Sequence, residues 1–365
     1  MEYSEKRVST GEEERLRTLQ ITPPDKAVFQ AVLDNWDQVA KPLDGLGVFE
    51  PLTAQIGAIQ GTANVDLSQK GVLIFCADNG IVEERISQSG QEVTLAVLKS
   101  MAKGQSSVCK MASHLGAATI PVDIGVNSDE CVPGVVQRKI RRGTRNFFHE
   151  PAMTKKETLQ AIFTGMALMR DCKAQGYTIL ALGEMGIGNT TTSSAVAAAL
   201  LSCDSALVTG RGAGLNDEKL HRKQQVIAGA LSRYGLFGAD PLEILSTVGG
   251  LDLAGLTGAC IGGAVYHVPV VLDGVITMTA ALCAERLVPG VKDYLLPSHK
   301  GREPAVKLLA DALGLLPVID GDMALGEGTG AVMMLSLLDM VLCLYRDKTA
   351  FADLQMDRYQ RYDKR

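Results

Sequence analysis

One stretch near the middle of the chain decides the fold, and it reads Ala181-Leu182-Gly183-Glu184-Met185-Gly186-Ile187-Gly188-Asn189-Thr190-Thr191-Thr192-Ser193-Ser194. An apolar run at 177–180 precedes it, and an alanine-rich run at 195–201 follows it. The pattern predicts a strand, a glycine-rich turn and the beginning of a helix. The first amides of a helix lack intrahelical partners and carry the positive end of the helix dipole, so this turn predicts a phosphate-binding site.

Glu184 is unexpected in such a turn. A carboxylate repels a phosphate, so Glu184 needs a ribose hydroxyl or a cationic or protonated ligand group as its partner. A second loop, Leu325-Gly326-Glu327-Gly328-Thr329-Gly330, also places a glutamate between glycines before an apolar helix-like run. Glu327 is either a first-turn charge that favours the helix dipole, or a partly buried general base whose pKa is raised by desolvation.

Strand-like and helix-like runs alternate along the chain. Near-continuous apolar runs predict buried strands at 71–77, 117–125 and 269–273. Further patterns predict helices at 24–40, 48–61, 91–115, 154–175, 216–234, 275–287, 307–313 and from the second loop to about 345. This alternation predicts an α/β fold with a mainly parallel, Rossmann-like sheet covered by helices on both faces. We expect an α/β domain at 66–334 and a small helical subdomain in which 1–65 packs with 335–365.

Composition and charge argue against several classes of protein. The chain has 365 residues, 46% of them hydrophobic and 21% charged, which suits a globular protein with a sizeable core. A net charge of −5 argues against a nucleic-acid-binding protein. The N-terminus lacks an apolar targeting segment, and the long apolar runs at 244–288 and 325–345 are interrupted by Gly, Pro or polar residues. We therefore expect a cytoplasmic protein without a membrane span.

Several other chemistries lack their sequence signals. The eight cysteines form no CxxC pair and the five histidines show no ligand spacing, so we expect reduced thiols and no metal site. Ser298 and His299 lack the GxSxG elbow of a hydrolase, and the opening turn lacks the lysine of a Walker A sequence. Lys223 lies on a predicted helix, where a solvated surface lysine is the default expectation. Turn formation is the default role of the aspartates near the ends of predicted strands: Asp78, Asp123 and Asp273.

The ordered motifs of the chain resemble those of the nicotinate-nucleotide–dimethylbenzimidazole phosphoribosyltransferase family. The two strongest are the stretch 183–191 and the loop 325–331. Weaker ones follow the family's order and include Ala77-Asp78-Asn79-Gly80, Gln91-Glu92-Val93-Thr94, Val122-Asp123-Ile124-Gly125, Gly210-Arg211-Gly212 and Pro269-Val270-Val271-Leu272-Asp273-Gly274. The resemblance covers about residues 25 to 345.

The resemblance implies transfer of 5-phosphoribose from nicotinate mononucleotide to an aromatic base. The products are nicotinate and an α-riboside 5′-phosphate for the nucleotide loop of a cobamide (vitamin B12). It implies two catalytic glutamates: Glu327 takes the proton from the base, and Glu184 lies near the ribose or the reacting centre. It implies substrate and phosphate contacts at Gly186, Gly188, Asn189, Thr190, Thr191, Gly210, Lys223, Gly326 and Gly328. It implies a base pocket formed by Asp78, Asn79, Ser87, Gln88 and Gln91, together with a dimer and neither metal nor cofactor.

Two departures from the family leave the base open. The usual Asp-His-Gly is here Asp78-Asn79-Gly80, and the usual Ser-Ala-Tyr-Pro is here Ser87-Gln88-Ser89-Gly90. Both lie near the expected base pocket, so the base is dimethylbenzimidazole, a related benzimidazole or purine, or a phenol joined through oxygen. The alternative functions are a subunit of a heterodimer with a paralogous chain that activates phenol or p-cresol, and a partner subunit with little activity of its own.

Overall fold

A computed structural model describes residues 11–362 and places a six-stranded parallel sheet at the centre of the protein. Its strands are β1 (Lys70–Ala77), β2 (Ala118–Gly125), β3 (Val136–Gln137), β4 (Ile179–Met185), β5 (Val270–Leu272) and β6 (Leu295–Pro297). The strand order is β3-β2-β1-β4-β5-β6, and every pairing is parallel. The order reverses between β1 and β4, and open α/β sheets bind ligands at the carboxyl ends of the strands at such a reversal. The predicted α/β class is confirmed.

Helices cover both faces of this sheet. They are α1 (Lys26–Trp36), α2 (Phe49–Gln60), α3 (Glu92–Ala102), α4 (Ser107–His114), α5 (Lys155–Ala174), α6 (Asn189–Leu201), α7 (Ser205–Val208), α8 (Asp217–Tyr234), α9 (Pro241–Val248), α10 (Leu251–Val265), α11 (Val275–Leu287), α12 (Ala305–Leu313) and α13 (Thr329–Arg346). Residues 11–17 are also helical. The single helix predicted at 91–115 is wrong, because Gly104 turns the chain between α3 and α4 with a φ of 69°.

Alternate residues of β1 pack into two different hydrophobic clusters. Leu73 and Phe75 belong to a cluster that contains buried residues of α5, α10 and α11. Val72 and Ile74 belong to the other cluster, with buried residues of α1, α2 and α13. This two-residue period is what a strand buried on both faces produces.

The terminal helices therefore share a core with the sheet. Trp36 of α1 is fully buried, and its Nε1 donates to Thr53 Oγ1 of α2 over 2.7 Å. Its ring centroid lies 5.0 Å from that of Tyr345 in α13. The division of the chain into two parts stays a prediction, and residues 1–10 and 363–365 of the predicted subdomain lie outside the described residues. The prediction about an N-terminal targeting segment falls on the same undescribed residues.

One described helix, α13, is long and apolar enough to cross a membrane by length and composition. Half of its residues are buried inside the protein. They pack on the sheet in the cluster that contains Leu335, Leu338 and Leu342. This packing explains the apolar composition of α13 as that of a core helix.

Two further strands, absent from the prediction, complete the site. β7 (His299–Gly301) pairs in parallel with β8 (Ile319–Met323) to form a separate two-stranded sheet. Arg302 N donates to Met323 O over 3.0 Å beyond the last paired residues. The small sheet brings residues 301–303 and 323–325 to the carboxyl ends of β4 and β5.

Candidate active site

A cavity of about 270 Å³ opens at the carboxyl ends of β4 and β5. The β4–α6 loop, the β5–α11 turn, the β7–β8 sheet and the loop before α13 line it. The cavity contains both glycine-bounded glutamates. Its carboxyl-bearing lining residues are Glu184, Asp273, Glu303 and Glu327, and its described lining contains one Lys or Arg side chain, that of Arg302. The site is therefore acidic.

The opening loop forms the predicted strand, turn and helix N-terminus. β4 ends at Met185, and Gly188 has a φ of 95° immediately before α6. Thr191 N donates to Gly188 O over 2.9 Å, which closes the first turn of the helix. Within residues 11–362, no side chain accepts a capping hydrogen bond at this N-terminus. Its dipole and amides remain suited to an anion in the cavity.

The predicted phosphate contacts divide into two groups. The first group lines the cavity: Gly186, Asn189, Thr190 and Gly326. The second group lies behind it: Gly188, Thr191, Gly210, Lys223 and Gly328. Thr191 is fully buried, and a Cβ at Gly210 would lie 2.2 Å from Glu303 Oε2. We infer that the second group shapes the loops that face the cavity.

The two glycine-bounded loops touch each other. A Cβ at Gly183 would lie 2.2 Å from the carbonyl oxygen of Glu327, and a Cβ at Gly328 would lie 3.2 Å from Gly183 Cα. A Cβ at Gly326 would lie 2.9 Å from Glu184 Oε1. Only glycine permits this approach of the two backbones. The approach places both glutamates at one end of the cavity.

Glu327 has an unusual backbone conformation. Its φ is 61°, in the left-handed region that non-glycine residues rarely adopt. Its Oε2 accepts from Val108 N at the start of α4 over 3.2 Å, and the residue is half-buried. The carboxylate is therefore held at the cavity wall on the side of the sheet covered by α4 and α13. Left-handed residues of this kind cluster at functional sites.

Burial controls the ionisation of Glu184. Desolvation raises the pKa of Glu184 to about 8, and the nearby charges of Asp252 and Asp273 act in the same direction. Asn189 Nδ2 donates to Glu184 Oε2 and opposes this rise. A protonated Glu184 at neutral pH does not repel a phosphate and can donate a hydrogen bond to a ribose hydroxyl. Desolvation also raises the pKa of Asp252, to about 6.

The raised pKa of Glu184 predicts a stability that depends on pH. The folded protein keeps the Glu184 proton up to about pH 8, whereas the unfolded chain loses it near the ordinary glutamate pKa of 4.5. The stabilisation is therefore complete below pH 4.5 and is lost as the pH rises to 8, by on the order of 3–5 kcal/mol. Glu184→Gln should remove most of this slope, as measured by urea unfolding at about pH 5 and about pH 8. Equal slopes in the two proteins would show that Glu184 titrates normally.

Lys223 is not the solvated lysine that its helix suggests. It is fully buried, and its Nζ donates to Thr190 Oγ1 over 2.9 Å and to Gly210 O over 3.1 Å. Desolvation lowers the pKa of Lys223 to about 8, and Glu303 opposes this shift. Glu303 in turn accepts from Gly212 N over 2.8 Å. The ammonium group thus lies directly behind a cavity-lining threonine, where it adds positive charge to the phosphate end.

Lys223→Met should weaken binding of a phosphorylated substrate. The change removes a buried cation behind Thr190, and hydrogen bonds to charged groups contribute roughly 1.5–3 kcal/mol. We expect KM for the nucleotide to rise about 10–100-fold, a range that follows from the same energies. Lys99→Met is the matched control, because Lys99 pairs with Glu130 at the surface and does not line the cavity. An unchanged KM in Lys223→Met would remove Lys223 from the phosphate site.

The first part of the predicted base pocket lies at the end of β1 and does not line the cavity. Asp78 and Asn79 are almost fully buried, and Asp78 Oδ2 accepts from Asn127 N over 2.7 Å. Desolvation raises the pKa of Asp78. Gln91 Nε2 donates to Asn79 O over 3.2 Å, and Gln91 Oε1 accepts from Asn127 Nδ2 over 2.9 Å. These bonds join the β1 end to the start of α3.

The second part of the predicted base pocket lies in the loop before α3. Gln88 Nε2 donates to Gly214 O, and Ser87 O accepts from Lys219 Nζ over 3.0 Å. α3 also contacts the cavity wall, because Thr94 Oγ1 accepts from Ile187 N over 3.2 Å. The five residues thus lie beside the cavity-lining loop, and their contact with a base stays a prediction.

Four lining residues with ionisable side chains escaped the sequence prediction of the site: Asp273, His299, Arg302 and Glu303. Asp273 ends a predicted strand, and the rule that ligands bind at the carboxyl ends of parallel strands could have found it. His299 is buried with its Nδ1 2.9 Å from Ser298 Oγ, and Ser298 Oγ donates to the Asp273 carbonyl over 3.1 Å. Ser298 is itself fully buried, so this pair does not form a hydrolase nucleophile.

One other group of carboxylates lies close together. Oxygen atoms of Asp37, Asp44 and Glu50 lie within 4.8 Å of one another. Arg361 pairs with Asp37 over 2.9 Å and with Asp44 over 2.6 Å, and Lys41 pairs with Glu50 over 2.6 Å. Two protein cations thus offset most of the negative charge of this cluster, which does not line the cavity.

Comparison with known proteins identifies the family. A family model described as "Phosphoribosyltransferase" matches residues 21–355. The chain is 41% identical over 324 residues to the nicotinate-nucleotide–dimethylbenzimidazole phosphoribosyltransferase of Acetivibrio thermocellus, covering 89% of this chain and 92% of that protein. The chain belongs to this phosphoribosyltransferase family.

Other members of the family agree in sequence and in fold. The enzyme of the same name from Clostridium perfringens (strain ATCC 13124) is 39% identical over 321 residues, covering 88% of this chain and 89% of that protein. The crystal structure of CobT from Thermus thermophilus superposes with a TM-score of 0.86 at 37% identity. The superposition covers 91% of this chain and 100% of the Thermus thermophilus chain. The protein is therefore a pentosyltransferase with the family's α/β fold.

Proposed function

We propose that the protein transfers 5-phosphoribose from nicotinate mononucleotide to an aromatic lower-ligand base, with dimethylbenzimidazole as the first candidate. The observation that carries the proposal is the contact between the β4–α6 loop and the loop before α13. One loop offers a helix N-terminus to a phosphate, and the other offers a carboxylate to a base. Such a cavity suits a ribose 5-phosphate that lies between the two loops.

The reaction needs one bond made, one bond broken and one proton moved. A ring nitrogen of the base forms a bond to C1 of the ribose. The bond from C1 to the nicotinate nitrogen breaks, and its electron pair neutralises the pyridinium. The second ring nitrogen of the attacking azole then carries an acidic proton, which Glu327 accepts. General-base catalysis of this kind contributes roughly 10²–10⁴-fold.

The acidity of the cavity fits this substrate. The nicotinate ring of the nucleotide is a pyridinium, and positive charge develops at C1 as its bond breaks. Glu327 and the buried Asp273 stabilise positive charge near the loop before α13. Lys223 and the α6 N-terminus favour negative charge at the other end. The protein therefore presents opposite fields to the two ends of one nucleotide.

A panel of bases tests the proposal. We expect the purified protein to release nicotinate from nicotinate mononucleotide only when a base is present, with benzimidazoles, purines and phenols compared at equal concentration. Formation of an α-riboside 5′-phosphate should match nicotinate release mole for mole. The absence of release with every base, alone or with a related subunit, would reject the proposal. Activity with phenols alone would favour the phenol-activating alternative.

A second copy of the chain is the proposed protein partner, and we expect a cytoplasmic homodimer. α13 exposes Met333, Met340 and Leu344, which are 42%, 65% and 50% exposed, on one face. Two copies can bury this face against each other around a twofold axis, because an isologous interface uses the same surface twice. α13 begins two residues after Glu327, so such a dimer would also support the catalytic loop.

Met340→Glu should break this dimer. The glutamate would place a charge at the centre of the proposed interface, where charged residues are depleted. Sedimentation should show a dimer for the unchanged protein and a monomer for the variant. Leu354→Glu is the control, since Leu354 is 51% exposed but lies beyond α13. A monomeric unchanged protein would exclude the homodimer, and its assembly with a paralogous chain would support the heterodimer.

A further inference from the structure

Two helices begin beside the same cavity. α6 begins at Asn189 and α13 begins at Thr329, and a glycine with positive φ precedes each one. Each combines a dipole with backbone amides, which is the usual arrangement for binding a phosphate. A nucleotide could therefore enter in either of two directions. Under the proposed function, the productive direction is the one that leaves the phosphate at α6 and brings the reacting carbon to Glu327.

A side-chain carboxylate already accepts hydrogen bonds from the amides at the start of α13. Asp273 Oδ1 accepts from Gly330 N over 2.8 Å and from Ala331 N over 3.2 Å. Asp273 Oδ2 accepts from Gly328 N over 3.1 Å. Asp273 is 3% exposed, and its own amide donates to Thr277 Oγ1 over 2.9 Å. A carboxylate fixed in this way is a built-in substitute for a phosphate.

We propose that Asp273 is a positioning residue that sets the direction of the nucleotide. It occupies the amides of α13, so the phosphate is left with α6. This inference rests on the proposed function for the identity of the nucleotide. The contrast with α6 supports it, since the amides of Asn189 and Thr191 donate to backbone oxygens, whereas those of Gly328, Gly330 and Ala331 donate to a carboxylate. Asp273 thus turns two similar loops into one phosphate loop and one proton-accepting loop.

Asp273 also holds the conformation of Glu327. The left-handed backbone of a non-glycine residue costs on the order of 1–3 kcal/mol. The three hydrogen bonds from residues 328, 330 and 331 to Asp273 fasten the chain immediately after Glu327 and offset that cost. Without them, the backbone can relax at Glu327 and displace its carboxylate from the cavity wall. The position of Glu327 therefore depends on the carboxylate of Asp273.

The activity test uses Asp273→Ala with chemical rescue. We expect kcat to fall about 10²-fold, because a small misplacement of a catalytic group costs that much. Formate should restore part of the lost rate by refilling the amides of α13, whereas a merely structural defect would not respond to formate. Asp25→Ala is the control, since Asp25 accepts from Ala27 N and Val28 N at the start of α1, away from the cavity. An unchanged kcat in Asp273→Ala overturns the proposal.

The binding test does not depend on activity. Calorimetry with inorganic phosphate should find one site per chain in the unchanged protein and two in Asp273→Ala. A single site in a folded Asp273→Ala protein overturns the proposal. If that variant does not fold, the isosteric Asp273→Asn replaces it. We expect this variant to keep one phosphate site and to resist rescue by formate, because the amide still fills the space. It should still lose kcat, because its nitrogen cannot replace the second carboxylate oxygen that accepts from the α13 amides. Full activity of Asp273→Asn, or its rescue by formate, overturns the proposal.

Two different failures can be told apart. An unchanged protein that releases no nicotinate with any base rejects the proposed function but leaves the phosphate count to decide the role of Asp273. An active protein whose phosphate count stays at one in folded Asp273→Ala keeps the function and rejects the inference.

Discussion

Glu327→Gln should lower kcat by about 10²–10⁴-fold, the usual contribution of a general base. Glutamine keeps the size of the side chain but cannot accept a proton from the attacking azole. Its carbonyl oxygen can still accept from Val108 N, so the loop should keep its position. The dissociation constant of nicotinate mononucleotide should change little, because the proposed phosphate site lies on the other loop, between β4 and α6. Steady-state kinetics and calorimetry measure the two effects separately.

The control for this variant is an isosteric change of an exposed glutamate. Glu130 pairs with Lys99 at the surface and does not line the cavity, so Glu130→Gln should keep full activity. An undiminished rate in Glu327→Gln would remove Glu327 from proton transfer without rejecting the activity itself. A large loss of nucleotide affinity without a loss of kcat would indicate that the phosphate binds at the loop before α13 rather than at the β4–α6 loop.

Gly183→Ala should damage both stability and activity. The new Cβ would lie 2.2 Å from the Glu327 carbonyl oxygen, a backbone atom that cannot move without moving the catalytic loop. Overpacking of this kind costs about 1–3 kcal/mol. Displacement of the loop by about 1 Å should lower kcat about 10²-fold. Thermal unfolding and kcat measured on the same preparation test both effects.

Gly229→Ala is the matched control for this glycine substitution. Gly229 is an exposed residue inside α8, where the nearest atom to a Cβ, Phe148 Cε2, is 3.3 Å away. Alanine favours a helix over glycine by up to about 1 kcal/mol, so this variant should be neutral or more stable. Full activity of a stable Gly183→Ala protein would show that the close approach of the two loops is unnecessary.

Most of the fold could be predicted from the sequence because its strands are buried on both faces. β1, β2 and β5 are near-continuous apolar runs, and that pattern is typical of parallel sheets. β8 was missed because its sequence, Ile319-Asp320-Gly321-Asp322-Met323, is acidic and mostly exposed. The break between α3 and α4 was missed because helix-forming residues continue on both sides of Gly104. In both places neighbouring residues, not local preference, decide the structure.

The site could be predicted only in part, because contacts between residues that are distant in sequence form much of it. The glycine-bounded glutamates are signals contained in single loops, and they predicted where the cavity would lie. Lys223 lies in a strongly charged segment, and its burial depends on Thr190 and Gly210, which come from other elements. Asp273 and the α13 amides that it binds are about 55 residues apart in sequence. Local patterns cannot show such a contact.

The presence of the Glu184 carboxyl group in a predicted phosphate-binding turn also has a physical explanation. Its pKa of about 8 leaves the carboxyl group mostly protonated at neutral pH, so it can neighbour a phosphate loop without strong repulsion. The carboxylate expected to take up a proton is that of Glu327, from the second loop. In the proposed function, the β4–α6 loop binds the nucleotide and the loop before α13 accepts the proton of the base.

A crystal structure of Glu327→Gln with nicotinate mononucleotide and dimethylbenzimidazole would show which loop binds the phosphate and whether the base reaches residue 327. The slow variant should hold both substrates. We predict the phosphate at the N-terminus of α6 beside Thr190, and a ring nitrogen of the base within hydrogen-bonding distance of the residue 327 side chain, about 2.6–3.2 Å. A phosphate on the amides of α13, or a base bound away from position 327, would contradict the proposed roles of the two loops.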